Sequence, residues 1–375
     1  MKQLVKFELY KLFRQKGIYI TMGLMFILFS MNSLSAHIST SPYKALQLKS
    51  DLQLAAENWE GTITEKKLED ASNIQELLTP KSIEGTLSEK EVAEQFVIMS
   101  LFENETMNSL IIPNRLSELQ INMSKLNESD FSYKEALLEN NMLVDLNFET
   151  FTYSKGPQET IGFAYFSRFF TSIMILIGLA TIFVNETNTG MDQLIYSSTH
   201  GRRKSITAKI LASIIYVLFV ILSWLTFDVL MNMYVYGNGG WDAPVQMISQ
   251  HTPYNLTMLE FFLIQTGIHF LVALAFMTLV LLVSALSKNT LMSFIISASI
   301  FILPTISFSI PLWDYVMKYS FANFITAPDF VNSFHAINMF GIPVLDPLVH
   351  YPAIFLISFI LLITIYRTIK RKQIA

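Results

Sequence analysis

Few residues in this 375-residue chain are placed to do chemistry. No G-x-x-x-x-G-K-[ST] loop is present, so the chain has no glycine cradle of its own for nucleotide phosphates. Gly201-Arg202-Arg203-Lys204-Ser205 is basic but lacks that cradle. Neither H-E-x-x-H nor G-x-S-x-G occurs. The six histidines, His37, His200, His251, His269, His335 and His350, show no paired metal-ligand spacing. With no cysteine, thiolate zinc sites, iron–sulfur clusters, disulfides and thiol nucleophiles are excluded. The chain is expected not to be an enzyme and to carry no cofactor.

Two groups of residues remain. The first is ionisable side chains within apolar blocks, where charge is costly and functional by default. His269 falls near the middle of one block, and Arg168 and Asp228 near the ends of two others. A substrate or proton role competes with plainer readings. His269 can be a neutral hydrogen-bonding group between helices, and Arg168 and Asp228 can snorkel to water or pair with each other.

The second group is the polar stretch that opens at Asn185. Glu186 closes an apolar block, and Gly190 follows four residues later. A short turn carries Leu194, Ile195 and Tyr196. A Ser/Thr-rich break contains Ser198, and Arg202, Arg203 and Lys204 open the next apolar block, with Lys209 one turn inside it. The order Glu186, Gly190, Leu194, Ser198, Arg202, Lys209 resembles the coupling region of ABC transporter permeases of the ABC-2, exporter-like type. The turn lacks the proline common in that family. Phe7-Glu8-Leu9-Tyr10-Lys11-Leu12-Phe13-Arg14 is similar to the family's N-terminal segment. The resemblance implies a permease subunit with Glu186, Gly190, Leu194, Ile195, Tyr196, Ser198 and Arg202 as the ATPase-coupling surface. It further implies that ATP and magnesium are bound by a separate nucleotide-binding ATPase subunit, and that the permease works as a homodimer or beside a similar chain.

The elements that must position these residues are written in the hydropathy. Mean hydropathy is +0.42 and only 15% of residues are charged, against about 25% in soluble domains. The apolar residues sit in blocks of roughly the 20 residues that cross a bilayer as a helix. These blocks are 17–36, 161–184, 206–232, 258–286, 290–311 and 351–366. The expected fold is therefore an all-α polytopic membrane protein with six transmembrane helices. Fourteen basic residues flank one side of the blocks, while the loops 233–257 and 312–350 hold only Lys318. By the positive-inside rule both termini are cytoplasmic, with a coupling loop at 185–205 and a tail at 367–375. The expected location is the bacterial plasma membrane, with the lipid bilayer as a partner and no nucleic acid. The first block is too long, and its basic flank too extended, for a cleaved signal peptide.

Residues 37–160 differ from the rest. They hold 10 basic and 21 acidic residues and read as a large helical extracytoplasmic domain between the first and second spans. Thr62-Ile63-Thr64-Glu65 and Ser88-Glu89-Lys90-Glu91 fit the capping-box pattern, Pro113 can start a helix, and Ser132 can cap one. Runs of alternating β-branched residues are missing, which argues against a sheet. Residues 1–16 have the composition of an interfacial helix, and the aromatic, proline-containing loop 312–350 can dip into the outer leaflet. A non-transporting sensor or immunity protein, binding a peptide through the outer domain, fits the same architecture.

Overall fold

The computed structural model describes residues 1–38, 42–197, 201–306, 313 and 334–371. Ser198, much of the aromatic loop and residues 372–375 lie outside the described residues. Helices α1 (Lys2–Phe13) and α2 (Lys16–Ile38) meet at a 60° bend. Five helices follow: α3 (Pro42–Trp59), α4 (Glu65–Glu84), α5 (Glu89–Thr106), α6 (Ile112–Met123) and α7 (Phe131–Val144). Then come α8 (Lys155–Leu179), the short α9 (Val184–Asn188) and α10 (Met191–Ser197), and α11 (Gly201–Tyr236). The chain ends in α12 (Met258–Leu286), α13 (Thr290–Ile302) and α14 (Asp346–Arg371).

Four of these are long and apolar enough to cross a membrane: α8 continued by α9, α11, α12 and α14. The bent pair α1 and α2 makes a fifth if it is one span. This is the build of a multi-pass membrane protein. Their shared core runs from Leu12 and Phe29 through Leu179, Tyr216 and Trp224 to Phe276 and Ile365. Gly178 lets α8 and α11 approach closely, since a Cβ there would lie 2.7 Å from the Tyr216 ring. The Tyr216 hydroxyl donates to the Met174 carbonyl at 2.8 Å.

The structure corrects several boundaries. The block 290–311 is not one long helix. α13 has 13 residues and spans about 20 Å before a 3₁₀ turn, Leu303–Thr305, takes over at Pro304, which has no N–H to continue the ladder. The block 161–184 starts earlier, at Lys155, and its helix breaks at Ala180–Phe183. The last block is longer than 351–366 at both ends. The described end of the aromatic loop forms a hairpin of β3 (Ala336–Met339) and β4 (Ile342–Leu345), while the stretch expected to dip into the leaflet lies mostly outside the described residues. With β1 (Gly61–Thr62) paired to β2 (Thr150–Phe151), the fold is mostly helical rather than all-α.

The region from α3 to β2 packs around two small cores separate from the main one. Trp59, Val97, Ile98, Leu101 and Phe151 anchor one. Met107, Ile112, Leu143 and Phe148 form the other. Ser88 caps α5 in a full capping box with Glu91. In the neighbouring motif the cap is Thr64 and not Thr62, because Thr62 is taken by the strand pair. Pro113 falls in the first turn of α6, as expected. It follows a π turn, Met107–Ile111, that joins α5 to α6 and widens the backbone where the proline ring would clash. Asp130, not Ser132, occupies the N-cap of α7.

Expressed alone, residues 40–157 are expected to give a helical circular dichroism spectrum. A hydrogen bond from Lys81, helped by the Ser88 N–H and hydroxyl, holds the Glu91 carboxyl down to about 2 from its ordinary 4.5. Because the folded value is the lower one, this contribution is complete above pH 4.5 and is lost as pH falls through about 2. The Glu91→Gln fragment should therefore lose less stability than the parent between those pH values. An identical acid dependence in both, or a sheet-dominated spectrum, would contradict this account.

Candidate functional site

The polar stretch at Asn185 is built on a break in an apolar helix. Residues Ala180–Phe183 leave the α8 ladder and free backbone groups in an apolar interior, where each must find a partner. Serines of two later helices supply them. Ser284 of α12 accepts from the N–H groups of Phe183 at 3.1 Å and Val184 at 3.4 Å. Ser293 of α13 donates to the Ala180 carbonyl. The chain then runs one turn as α9 and turns at Gly190, whose φ of +68° is left-handed and favours glycine. α10 starts immediately after it.

Glu186 lies on α9 and is buried. Its Oε1 accepts from Lys209 Nζ of α11 at 2.7 Å and from Lys11 Nζ of α1 at 2.9 Å. Glu8 of α1 completes the set, accepting from Lys209 at 3.0 Å and Lys11 at 3.1 Å. Two carboxylates and two ammoniums thus cross-bond three elements into a neutral group. The Lys209 side chain is 1% exposed, the two glutamates 9% each and Lys11 39%. Lys209 also lies 5.8 Å from the centre of the Phe183 ring, within cation–π range. The same three elements line a cavity of about 620 Å³.

Of the residues singled out in the sequence, Glu186 belongs to this group, Ile195 lines the cavity beside it, and Gly190 makes the turn between α9 and α10. Ile195 turns inward against the main core, whereas Leu194 is 68% exposed. Ser198 lies outside the described residues, as do the side chains of Tyr196 and Arg202. Glu8 escaped notice in the sequence. Its signal is that it is the single acidic residue among the first fifty, in a strongly basic segment. A lysine one turn inside an apolar block needs such a partner.

Arg168, Asp228 and His269 stand apart from this group and are all buried in the bundle. Asp228 accepts from Asn232 Nδ2 at 2.8 Å, one turn along the same helix. Among the described residues Arg168 and Asp228 make no ion pair with each other. Arg168 instead lies within electrostatic reach of His269, whose Nε2 has no hydrogen-bond partner. Glu260 has a plain role, closing the capping box of Thr257 at the start of α12. Among the described residues no cluster of three His, Asp or Glu side chains is arranged to hold a metal ion.

The two ends of the bundle are distinct. At one end α1, α9 and α11 share the charge group, and Thr207 bonds Tyr366 of α14 at 2.8 Å. At the other, Lys134 of α7 donates to the hairpin carbonyl of Gly341 at 3.1 Å, and Asn255 donates to Asp145 of the helical region at 3.1 Å. No protein-family model, no curated protein and no solved structure matches the chain.

Proposed function

We propose that this chain is the membrane-spanning permease subunit of an ATP-driven exporter, powered by a separate ATPase and working as a homodimer or beside a similar chain. The observation that carries the reading is Lys209 bound to both Glu8 and Glu186. The N-terminal segment and the loop 185–209 each resemble that family, and Lys11 and Glu186, one from each, stand 175 positions apart in the chain. Their charged residues meet in one buried group. A membrane subunit without a P-loop must receive work from outside, and this group ties α9, the turn that leads into the exposed α10, to two helices of the bundle. The purified full chain should bring down a nucleotide-hydrolysing partner and, with it in vesicles, move substrate only when ATP is present. Purification without any such partner would sink the reading.

Parity supports a reading with six crossings. α1 and the end of α14 lie at the same end of the bundle, so the number of crossings between them is even. α2, α8, α11, α12 and α14 supply five. A sixth is supported by the ends of the segment between α13 and the hairpin, since Ser293 bonds Ala180 near one end and Gly341 bonds Lys134 at the other. The positive-inside rule then puts the charge group in the cytoplasm and the helical region outside. In intact cells, Asn127→Cys should react with an impermeant thiol reagent and Asp192→Cys should not. No native cysteine interferes. Labelling of Asp192→Cys from outside would reverse the orientation.

A further inference from the structure

Helix α1 has two unlike faces. Glu8 and Leu12 are buried against the bundle. Leu4, Phe7 and Tyr10 point away from it, 42%, 55% and 59% exposed. Basic residues stand among them. Lys2, Lys6, Tyr10 and Arg14 follow one another at i, i+4 spacing and so form a single row along the helix. The Arg14 guanidinium lies 6.0 Å from the centre of the Tyr10 ring. The acidic residue of α1, Glu8, is turned inward to Lys11 and Lys209. The outward face therefore offers three cations and three apolar side chains, with no carboxylate of its own helix to offset them.

The neighbours of α1 fix the depth at which that face lies. Glu8 sits beside Lys209, in the charge group. The Phe13 ring, at the other end of the helix, packs edge-on against Tyr216 at 6.0 Å and Phe219 at 5.1 Å. Phe219 lies about 15 Å beyond Lys209 along α11, in a helix apolar enough to cross a bilayer. α1 thus climbs from the charged end of the bundle into its apolar zone, where it meets α2 at 60°. Phe219 is itself 42% exposed, so the outward face of α1 runs on into the surface that α11 offers to lipid. A helix so placed, with leucine and aromatic side chains beside lysine and arginine, sits at headgroup depth. Its unopposed cations there attract lipids of net negative charge.

We propose that the outward face of α1 is a binding surface for anionic phospholipid. Leu4, Phe7 and Tyr10 enter the acyl boundary, and Lys2, Lys6 and Arg14 gather the negatively charged headgroups. Glu8 and Lys11 belong to the same helix, so the lipid steadies the element that supplies half of the charge group. The surface needs only a bilayer and does not rest on the coupling assignment.

The test places one fluorophore on this face. With no cysteine elsewhere, Gln3→Cys, exposed one turn before Phe7, takes a single environment-sensitive label. The purified full chain is reconstituted in phosphatidylcholine bilayers with a minor share of phosphatidylglycerol of identical chains. An equal amount of nitroxide quencher is carried by one lipid or by the other. Quenching per nitroxide should be about fivefold greater from phosphatidylglycerol, the factor that one cation near an anionic surface contributes. At about 1 M salt, where the screening length falls to about 3 Å, the preference should shrink towards unity. Lys2→Gln, Lys6→Gln and Arg14→Gln combined, all outside the charge group, should do the same at low salt. Equal quenching by the two lipids in the parent chain would overturn the proposal. So would a preference that survives the triple variant, which would assign it to other basic residues. Absence of quenching by either lipid would overturn it as well, since the face would then be covered by protein.

Discussion

Lys209→Met is expected to destabilise the protein by about 3–5 kcal/mol, the cost of breaking a buried ion pair by removing one partner. Lys209 is the innermost of the four charges, with a side chain 1% exposed, and it binds both glutamates. Without it, two carboxylates that are 9% exposed share only Lys11. Lys11→Ala should cost much less, about 1 kcal/mol or below, because Lys11 is 39% exposed and solvent takes over part of its role. Glu186→Gln combined with Lys209→Gln should recover more than half of the loss, since the amides still hydrogen-bond and no charge is stranded. The measurement is thermal unfolding of the purified protein in detergent, with all variants in one background. Equal losses from Lys11→Ala and Lys209→Met, or no recovery in the double variant, would show that the four groups do not act as one buried unit.

The second large effect lies on α10, and the structure narrows its source. Of the three apolar residues on that turn, Ile195 faces the core and Leu194 is 68% exposed. On the proposed coupling role, Leu194→Ala should therefore weaken binding to a partner ATPase by about 2 kcal/mol, roughly thirtyfold, with little change in stability. Ile195→Ala should show the reverse, a loss of stability with the contact surface kept. Gly190 adds an independent check. A Cβ there meets nothing within 4 Å, so any penalty comes from its φ of +68° alone. A left-handed residue other than glycine costs roughly 1–2 kcal/mol, less for asparagine. Gly190→Val should thus harm co-purification clearly more than Gly190→Asn. If a partner ATPase binds the Leu194→Ala and Gly190→Val chains as tightly as the parent, α10 is not the coupling surface.

The sequence disclosed features whose causes are local. The Ser88 capping box, the end of α12 at the polar turn before Asn289, and the long apolar helices all depend on residues within a few positions of each other. What it hid depends on distant partners. Ala180-Thr181-Ile182-Phe183 contains neither proline nor glycine and reads as unbroken span, because the break is stabilised by serines 101 and 113 residues away. The strand pairs are two to four residues long, too short to show a period. The charge group was half visible. Glu186 and Lys209 stood out by position, but nothing near Glu8 announces that it will sit beside a lysine 201 residues later.

The same distances set an order of events on the ribosome. At about 5–20 residues per second, the segment carrying Ser284 is made roughly 5–20 s after Phe183, and Ser293 later still. Until then no hydroxyl is available to the freed backbone groups of residues 180–183, and the arrangement that satisfies them in lipid is an uninterrupted helix. The contacts that hold the break therefore become available only after α12 and α13 have been made. Glu8 and Lys11 likewise wait for Lys209 before their ion group can close. The charge group and the helix break at that end close only when later segments arrive, and a chain truncated before Ser284 lacks the hydroxyl that accepts from Phe183 and Val184.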